Sequence, residues 1–268
     1  MVVYFYRFNT TRPPFDDKRV RLAVNLAVDR KLIVEQVLGL GQIAATTFVP
    51  PGMAGYEPPP SAVRYDVPRA RAWLSDAGYP NGAGFPAVGI LYNTSGQHKK
   101  IAEEIAEELR RNLGIEVRAY NQEWQSFLDT TRSGDYGMAR AGWIGDYADP
   151  NTFLDMWVTN GGNNQTGFSS PLYDRLIRTA ADVSSFIDVP GPLLAELAHP
   201  EGVRAAVEAT RAATDSSIRL GAMAKTRMLL LREAEAILVQ DELRVGKFNG
   251  VQAVRGVAGR GLSAVAKG

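Results

Sequence analysis

The chain of 268 residues contains no cysteine and only two histidines, His98 and His199. Without thiols the chain can form no disulfide, and with two histidines zinc sites built from clusters of thiolate or imidazole groups are nearly excluded. The 30 basic and 29 acidic side chains leave a net charge of +1, so no overall positive field attracts nucleic acid. We therefore expect no metal, no cofactor and no nucleic acid partner.

Long apolar runs are also missing. No stretch approaches the 18 uncharged apolar residues that mark a membrane-spanning helix. The first residues, MVVYFYR, lack the basic segment followed by an apolar one that is typical of a signal peptide. Hydrophobic residues make up 45% and charged residues 22% of the chain, as in ordinary globular proteins. We expect a folded chain that carries no signal peptide of its own.

Strand and helix patterns alternate through the first two thirds of the chain. Apolar residues at every second position predict strands, and apolar residues at spacings of three and four predict helices. The expected strands are 4–9, 88–92, 116–121 and 136–143, and the expected helices are 17–38, 68–78, 99–113, 122–132, a helix after Asp149-Pro150 and 172–181. Proline crowds residues 50–60, which favours a surface loop there. This alternation predicts an α/β layer architecture.

The last third of the chain has a different composition. Helices are expected at 203–213 and 222–239, and no strand pattern follows residue 182. Beyond residue 241 neither period persists, so we expect the end of the chain to be poorly ordered. The sequence thus predicts an α/β part at 1–182, a helical insertion and closing helix of the same lobe at 183–243, and a divergent tail at 244–268.

Four short segments, in this order and spacing, resemble the oligopeptide-binding proteins of peptide ABC importers, the extracytoplasmic solute-binding proteins of family 5. They are RPPFDD at 12–17, LYNTS at 91–95 with HKK at 98–100, NQEW at 121–124, and ARAGW at 139–143 with DY at 146–147. The resemblance implies the C-terminal lobe of a type II periplasmic-binding-protein fold, a mixed sheet flanked by helices with an added helical segment near the C-terminus. It also implies a fragment without the N-terminal lobe.

The resemblance also implies how the ends of a peptide are bound. Asp146 matches the acid that pairs with the peptide ammonium, and Arg140 matches the arginine that reaches the peptide carboxylate. The backbone of Gly142 and Ile144 is expected to pair with the extended peptide as an added strand. A receptor for varied peptides must hold these shared groups, because side chains differ from one peptide to the next.

The spacing of these residues leaves one question open. Positions 140, 142, 144 and 146 share parity, and about 20 Å separates the first from the last on an extended strand. That span exceeds a tripeptide. Either Arg140 leans inward along the strand, or the segment bends after Trp143.

Four further positions are implied to line the side-chain pockets. Trp143, Trp124 and His98 match pocket residues of the family, and Asn164 aligns with another contact. Aromatic walls accept varied side chains because they offer contact area without demanding particular hydrogen bonds. Permissive binding of oligopeptides is the expected result.

The resemblance further implies a monomer in the periplasm or another extracytoplasmic space, which passes peptides to an ABC permease of the inner membrane. Two other functions stay open from the residues alone. The chain could be a remnant or interaction module that does not bind peptides. Ser95 and His98 could also form a hydrolytic pair, although no glycine elbow surrounds Ser95 and no third group is evident.

Overall fold

The computed structural model describes residues 1–60, 64–182, 189–240 and 247–253. Its described part contains one sheet of five strands in the order β3-β2-β4-β1-β5. The strands are β1 (Val2–Phe8), β2 (Val88–Asn93), β3 (Val117–Gln122), β4 (Met138–Ile144) and β5 (Lys247–Ala253). The four strands expected before residue 182 are all present, with ends shifted by one or two residues.

Strand directions bring the ends of three strands together. β2 runs parallel to both β3 and β4, whereas β1 is antiparallel to β4 and to β5. The last residues of β2, β3 and β4, which are Asn93, Gln122 and Ile144, therefore lie at one edge, together with the first residues of β1. We call this edge the carboxyl edge.

Helices cover both faces of the sheet. Their bounds are α1 Lys18–Leu26, α2 Arg30–Leu32, α3 Val67–Asp76, α4 Gly96–Leu113, α5 Trp124–Ser133, α6 Asn151–Leu154, α7 Pro171–Ala181, α8 Gly191–Glu196, α9 Pro200–Ala212 and α10 Ser216–Gln240. A π-helix, Ile33–Leu38, continues α2, and 3-10 turns lie at Pro80–Gly82 and Asp155–Trp157. None of the described helices is long and apolar enough to span a bilayer.

The single helix expected at 17–38 was wrong, because the chain forms two helices there. α1 ends with Ala27 as its C-cap, and Asp29 begins the next helix. The Asp29 side chain accepts hydrogen bonds from the backbone N–H groups of Lys31 and Leu32, at 3.0 and 3.1 Å. An N-cap of this kind favours a new helix start over continuation of the old one.

Two large hydrophobic cores lie on opposite faces of the sheet, and a smaller cluster contains Leu91, Phe127, Tyr136 and Ala139. On one face, Tyr6, Phe8 and Met138 pack with α1 and α4. On the other, Val3, Phe5 and Ala141 belong to a core that includes α6, α7, α9 and α10. The α/β architecture with a mixed sheet flanked by helices is therefore confirmed, and the added helices share a core with the sheet.

Helix α10 is also joined to the proline-rich segment by a buried carboxylate. Glu235 accepts hydrogen bonds from the backbone N–H groups of Phe48 and Val49 and from the hydroxyl of Tyr56. Its side chain is fully buried, so these donors offset the cost of removing the carboxylate from water. The contact fixes the loop at 48–56 against the last long helix.

A strand that the sequence pattern did not predict, β5 at Lys247–Ala253, lies within the segment expected to be a tail. This strand pairs with β1, with a register shift between Tyr4 and Tyr6. Without β5, β1 would be an edge strand with unpaired backbone groups, and such an edge readily accepts another strand. The rest of the expected tail, at 244–246 and 254–268, and residues 183–188 of the insertion lie outside the described residues.

Candidate functional site

Most of the residues expected to bind peptide lie at or near the carboxyl edge, whereas Asn164 lies in a loop whose Thr166 bonds to Thr10, beyond the end of β1. β4 carries Arg140, Gly142 and Ile144, while His98 lies in the first turn of α4 and Trp124 opens α5. The helix after β2 packs on one face of the sheet, and the segment after β4 packs on the other. In open α/β sheets, such a reversal between neighbouring strands leaves a crevice at their carboxyl ends. This reversal occurs between β2 and β4, so the topology predicts the crevice at their carboxyl ends.

Arg140 leans along β4 toward Gly142. Its Nη1 donates to Oδ1 of Asn93 at 3.1 Å, and its guanidinium lies 5.0 Å from the centre of the Tyr4 ring. Its Nη2 lies 3.5 Å from the position that a Cβ would take on Gly142. Since β4 also continues past Trp143 to Ile144, the geometry matches the arrangement in which the arginine leans inward.

His98 is buried beside the same arginine. Its Nδ1 lies 3.2 Å from the Tyr4 hydroxyl, and the two ring centres are 5.5 Å apart. Burial and, to a smaller extent, the positive charge of Arg140 together lower the pKa of His98 to about 4. The imidazole is therefore neutral at neutral pH.

Ser95 does not share a described hydrogen bond with His98. It is the N-cap residue of α4, and its side chain makes no capping hydrogen bond. The partner of the His98 ring in the described contacts is Tyr4, which the sequence did not single out. These contacts give no support to a hydrolytic pair.

Near its end, β4 has backbone N–H and C=O groups that pair with no other strand in the described structure. The N–H of Asn9 bonds to the carbonyl of Gly137 at 2.9 Å, and the N–H of Gly145 bonds to the carbonyl of Met1 at 3.0 Å. Because backbone groups alternate sides along a strand, odd-numbered residues of β4 face β1. Gly142 and Ile144 therefore point their N–H and C=O groups the other way. On that side, the register with β2 ends at Leu91 and Ala139.

Asp146 lies just beyond β4, exposed to solvent. Its backbone N–H donates to Oγ1 of Thr152 at 3.1 Å. Asp155, which the sequence did not single out, is half-buried nearby. Burial raises the pKa of Asp155, and the negative charge of Asp146 raises it further. Two carboxylates thus make this end of the crevice acidic.

The turn that carries Asp146 is anchored to α10. The two terminal guanidinium nitrogens of Arg227, Nη1 and Nη2, donate to the carboxylate of Asp149 at 2.5 and 2.9 Å, and its Nε donates to the carbonyl of Ala180. A two-bond arginine–carboxylate pair fixes direction as well as distance. The helical segment near the C-terminus therefore holds the acidic turn in place.

The remaining expected residues differ in their surroundings. Trp124 is half-exposed and stacks on Phe127, with ring centres 5.8 Å apart. Trp143 packs against the core that contains Phe5, and its Nε1 is buried without a hydrogen-bond partner in the described structure.

Asn164 has a side chain that is already engaged within its own loop. Its amide nitrogen donates to the carbonyls of Trp157, Val158 and Phe168, and its oxygen accepts from the hydroxyl of Thr166 at 2.8 Å. These bonds give Asn164 a role in shaping the loop. A peptide would have to compete with them.

Residues 1–165 match the model of the bacterial extracellular solute-binding proteins, family 5 Middle. The chain belongs to this family. It is 39% identical over 184 residues to the periplasmic murein peptide-binding protein of Escherichia coli, an alignment that covers 66% of this chain and 34% of that protein. It is 37% identical over 190 residues to the periplasmic oligopeptide-binding protein of Salmonella typhimurium, covering 69% of this chain and 35% of that one.

Solved structures of the family have the same fold. The oligopeptide-binding protein of Haemophilus influenzae, solved in complex with the peptide RPPGFSPFR, superimposes with a TM-score of 0.70 at 29% identity. The match covers 94% of this chain and 43% of that one. The chain thus spans about a third of the length of the curated relatives that it matches. Both of these relatives are named as periplasmic peptide-binding proteins.

Proposed function

We propose that this chain forms one wall of an oligopeptide-binding site, in which an extended peptide adds as a strand beside Gly142 and Ile144. One observation carries this proposal: the backbone N–H and C=O groups of Gly142 and Ile144 point away from β1, and the pairing of β4 with β2 ends before them, at Ala139. Main-chain hydrogen bonds of this kind are independent of peptide sequence. Glycine at position 142 lets another backbone approach closely because it has no side chain.

The charges at the two ends of this segment fit the two ends of a peptide. Asp146, with Asp155 nearby, suits an ammonium group, and the Arg140 guanidinium suits a carboxylate. Arg140 reaches toward Gly142, so the distance between its charge and Asp146 is shorter than the strand span alone. An antiparallel peptide over this segment would place its amino end at Asp146.

The relatives supply the wider proposal. Proteins named for binding oligopeptides and murein peptides share this chain's family, and one was solved with a nonapeptide bound. We propose that the protein of which this chain is part binds peptides outside the cytoplasm and delivers them to an ABC permease. Trp124, Trp143 and His98 are then the walls of its side-chain pockets.

Isothermal calorimetry with trialanine and tetraalanine tests the proposal. The chain should bind both peptides weakly at millimolar concentration, because a single wall leaves the ligand and its charges hydrated. Asp146→Ala should weaken binding about tenfold, and acetylation of the peptide amine should weaken it similarly, since a hydrogen bond to a charged group contributes about 1.5 kcal/mol or more.

A matched control removes one carboxylate from the other edge of the sheet. Glu116 is exposed just before β3, far from the carboxyl edge, so Glu116→Ala should bind as the unaltered chain does. No heat of binding at millimolar peptide would instead support the alternative of a chain that does not bind. Equal losses in the two variants would show a nonspecific charge effect.

A further inference from the structure

Arg7 of β1 is a buried arginine whose charge has no acceptor among the described residues. It is 8% exposed, and its Nε is buried with no hydrogen-bond partner in the described part of the chain. The contact that the structure gives it is with the face of the Tyr136 ring, whose centre lies 5.7 Å from the guanidinium carbon. The nearby charge of Arg140 is of the same sign.

Two other buried arginines show what is usual in this fold. Arg21 donates from Nη1 to the carbonyls of Phe15 and Asp16, at 2.6 and 3.1 Å. Arg30 donates to the carbonyl and the side-chain oxygen of Asn25, at 3.2 and 2.9 Å. A buried guanidinium without such acceptors is costly, so Arg7 calls for an anionic partner that the described residues do not supply.

The register of the sheet places Arg7 close to the proposed site. It pairs with Ala139, next to Arg140, and it shares a sheet face with Ala139, Ala141 and Trp143 because residues alternate along both strands. Ala139 is buried on this face together with Tyr136, whose ring Arg7 contacts. About 10 Å of strand separates Ala139 from Gly142. The long side chain of Arg7 and an acidic side chain of a peptide at Gly142 can together cover this distance.

We propose that Arg7 binds the carboxylate of an acidic side chain in the bound peptide, which makes one pocket of the site selective for Asp or Glu. The inference rests on the proposed peptide site. A guanidinium fork fits the two oxygens of a carboxylate, and the aromatic ring of Tyr136 holds its plane. Selectivity of this kind would be superimposed on otherwise permissive binding.

Calorimetry with three peptides that differ at one position tests the proposal. The unaltered chain should bind Ala-Glu-Ala about tenfold more tightly than Ala-Gln-Ala, since the charged hydrogen bond is made in one complex alone. Arg7→Met should remove this preference, and Arg7→Glu should make Ala-Lys-Ala the preferred peptide. Arg118→Met is the matched control, because Arg118 is an exposed cation of β3 and its loss should leave the preference intact.

The outcomes separate this inference from the proposed function. Equal affinity for the Glu and Gln peptides would overturn the role of Arg7 while leaving the peptide site in place.

If no peptide binds, the proposed function fails, and thermal melting in two salts still tests whether Arg7 binds a carboxylate. Glutarate should raise the Tm by about 2 °C over chloride at equal ionic strength, in the unaltered chain but not in Arg7→Met. Equal Tm values in both salts would overturn the anion site. The same melts show whether Arg7→Met is folded.

Discussion

Glu108 of α4 is a fully buried carboxyl group that should make the stability of the fold depend on pH. Its Oε2 accepts a hydrogen bond from the backbone N–H of Asp29 at 3.0 Å. Its Oε1 has no hydrogen-bond partner in the described structure and lies 3.6 Å from Nη2 of Arg111. Burial is the main cause that raises the pKa of Glu108 to about 7. The hydrogen bond from the Asp29 N–H opposes this rise, and the charge of Glu104 adds to it.

The sign of the effect follows from the folded and unfolded pKa values. Because the folded-state pKa of Glu108 lies above its ordinary value of 4.5, folding favours the protonated carboxyl. Its contribution to stability is fully present below that ordinary value and is lost as the pH rises to about 7. A difference of between two and three pKa units corresponds to about 3 kcal/mol over the whole range.

Replacement of Glu108 by glutamine removes the titration and keeps an oxygen that can accept from Asp29. Between pH 5 and pH 8, the free energy of unfolding of Glu108→Gln should gain about 2 kcal/mol relative to the unaltered chain, measured by urea unfolding. Glu107→Gln is the control, because Glu107 is an exposed neighbour paired with Arg110 and should change stability little. A stability difference that is the same at both pH values would refute this account of Glu108.

Two further predictions concern the site. The imidazole of His98 should stay neutral down to pH 5, because its pKa is about 4. A titration followed by nuclear magnetic resonance measures this pKa. A midpoint near the ordinary value of 6.5 would contradict the burial of His98. Gly142→Ala should fold normally, because the nearest atoms to a new Cβ, on Arg140 and Val3, lie at an ordinary contact distance of 3.5 Å. It should nevertheless bind trialanine at least about tenfold more weakly, since the added methyl group keeps the peptide backbone from coming close to residue 142. An unchanged affinity would mean that the peptide binds elsewhere.

The sequence predicted those parts of the fold that depend on local pattern. β2, β3 and β4 follow from apolar alternation, and α4 follows from a long apolar stripe that Gly114 ends. The break after Ala27 was missed, because Val28 continues the apolar spacing and Asp29 acts through its side chain. β5 was missed since the alternation is weak there and pairing with β1 supplies its order.

The sequence predicted residues of the candidate site only where they lie in a motif that resembles the family. Arg140, Gly142 and Asp146 lie within one short segment that resembles the family. Tyr4, by contrast, meets His98 across 94 residues, and Arg227 reaches Asp149 across 78 residues. Such contacts arise from the packing of distant elements, and no local pattern marks them.

Amide hydrogen exchange along β4 tests the central claim most directly. If a peptide adds as a strand at the crevice, saturating trialanine should slow exchange at the N–H groups of Gly142 and Ile144. The N–H groups of Ala141 and Trp143 already face β1 and should change little. Protection at Ala141 and Trp143 instead, or no protection at Gly142 and Ile144 when the peptide is bound, would contradict the proposed strand addition.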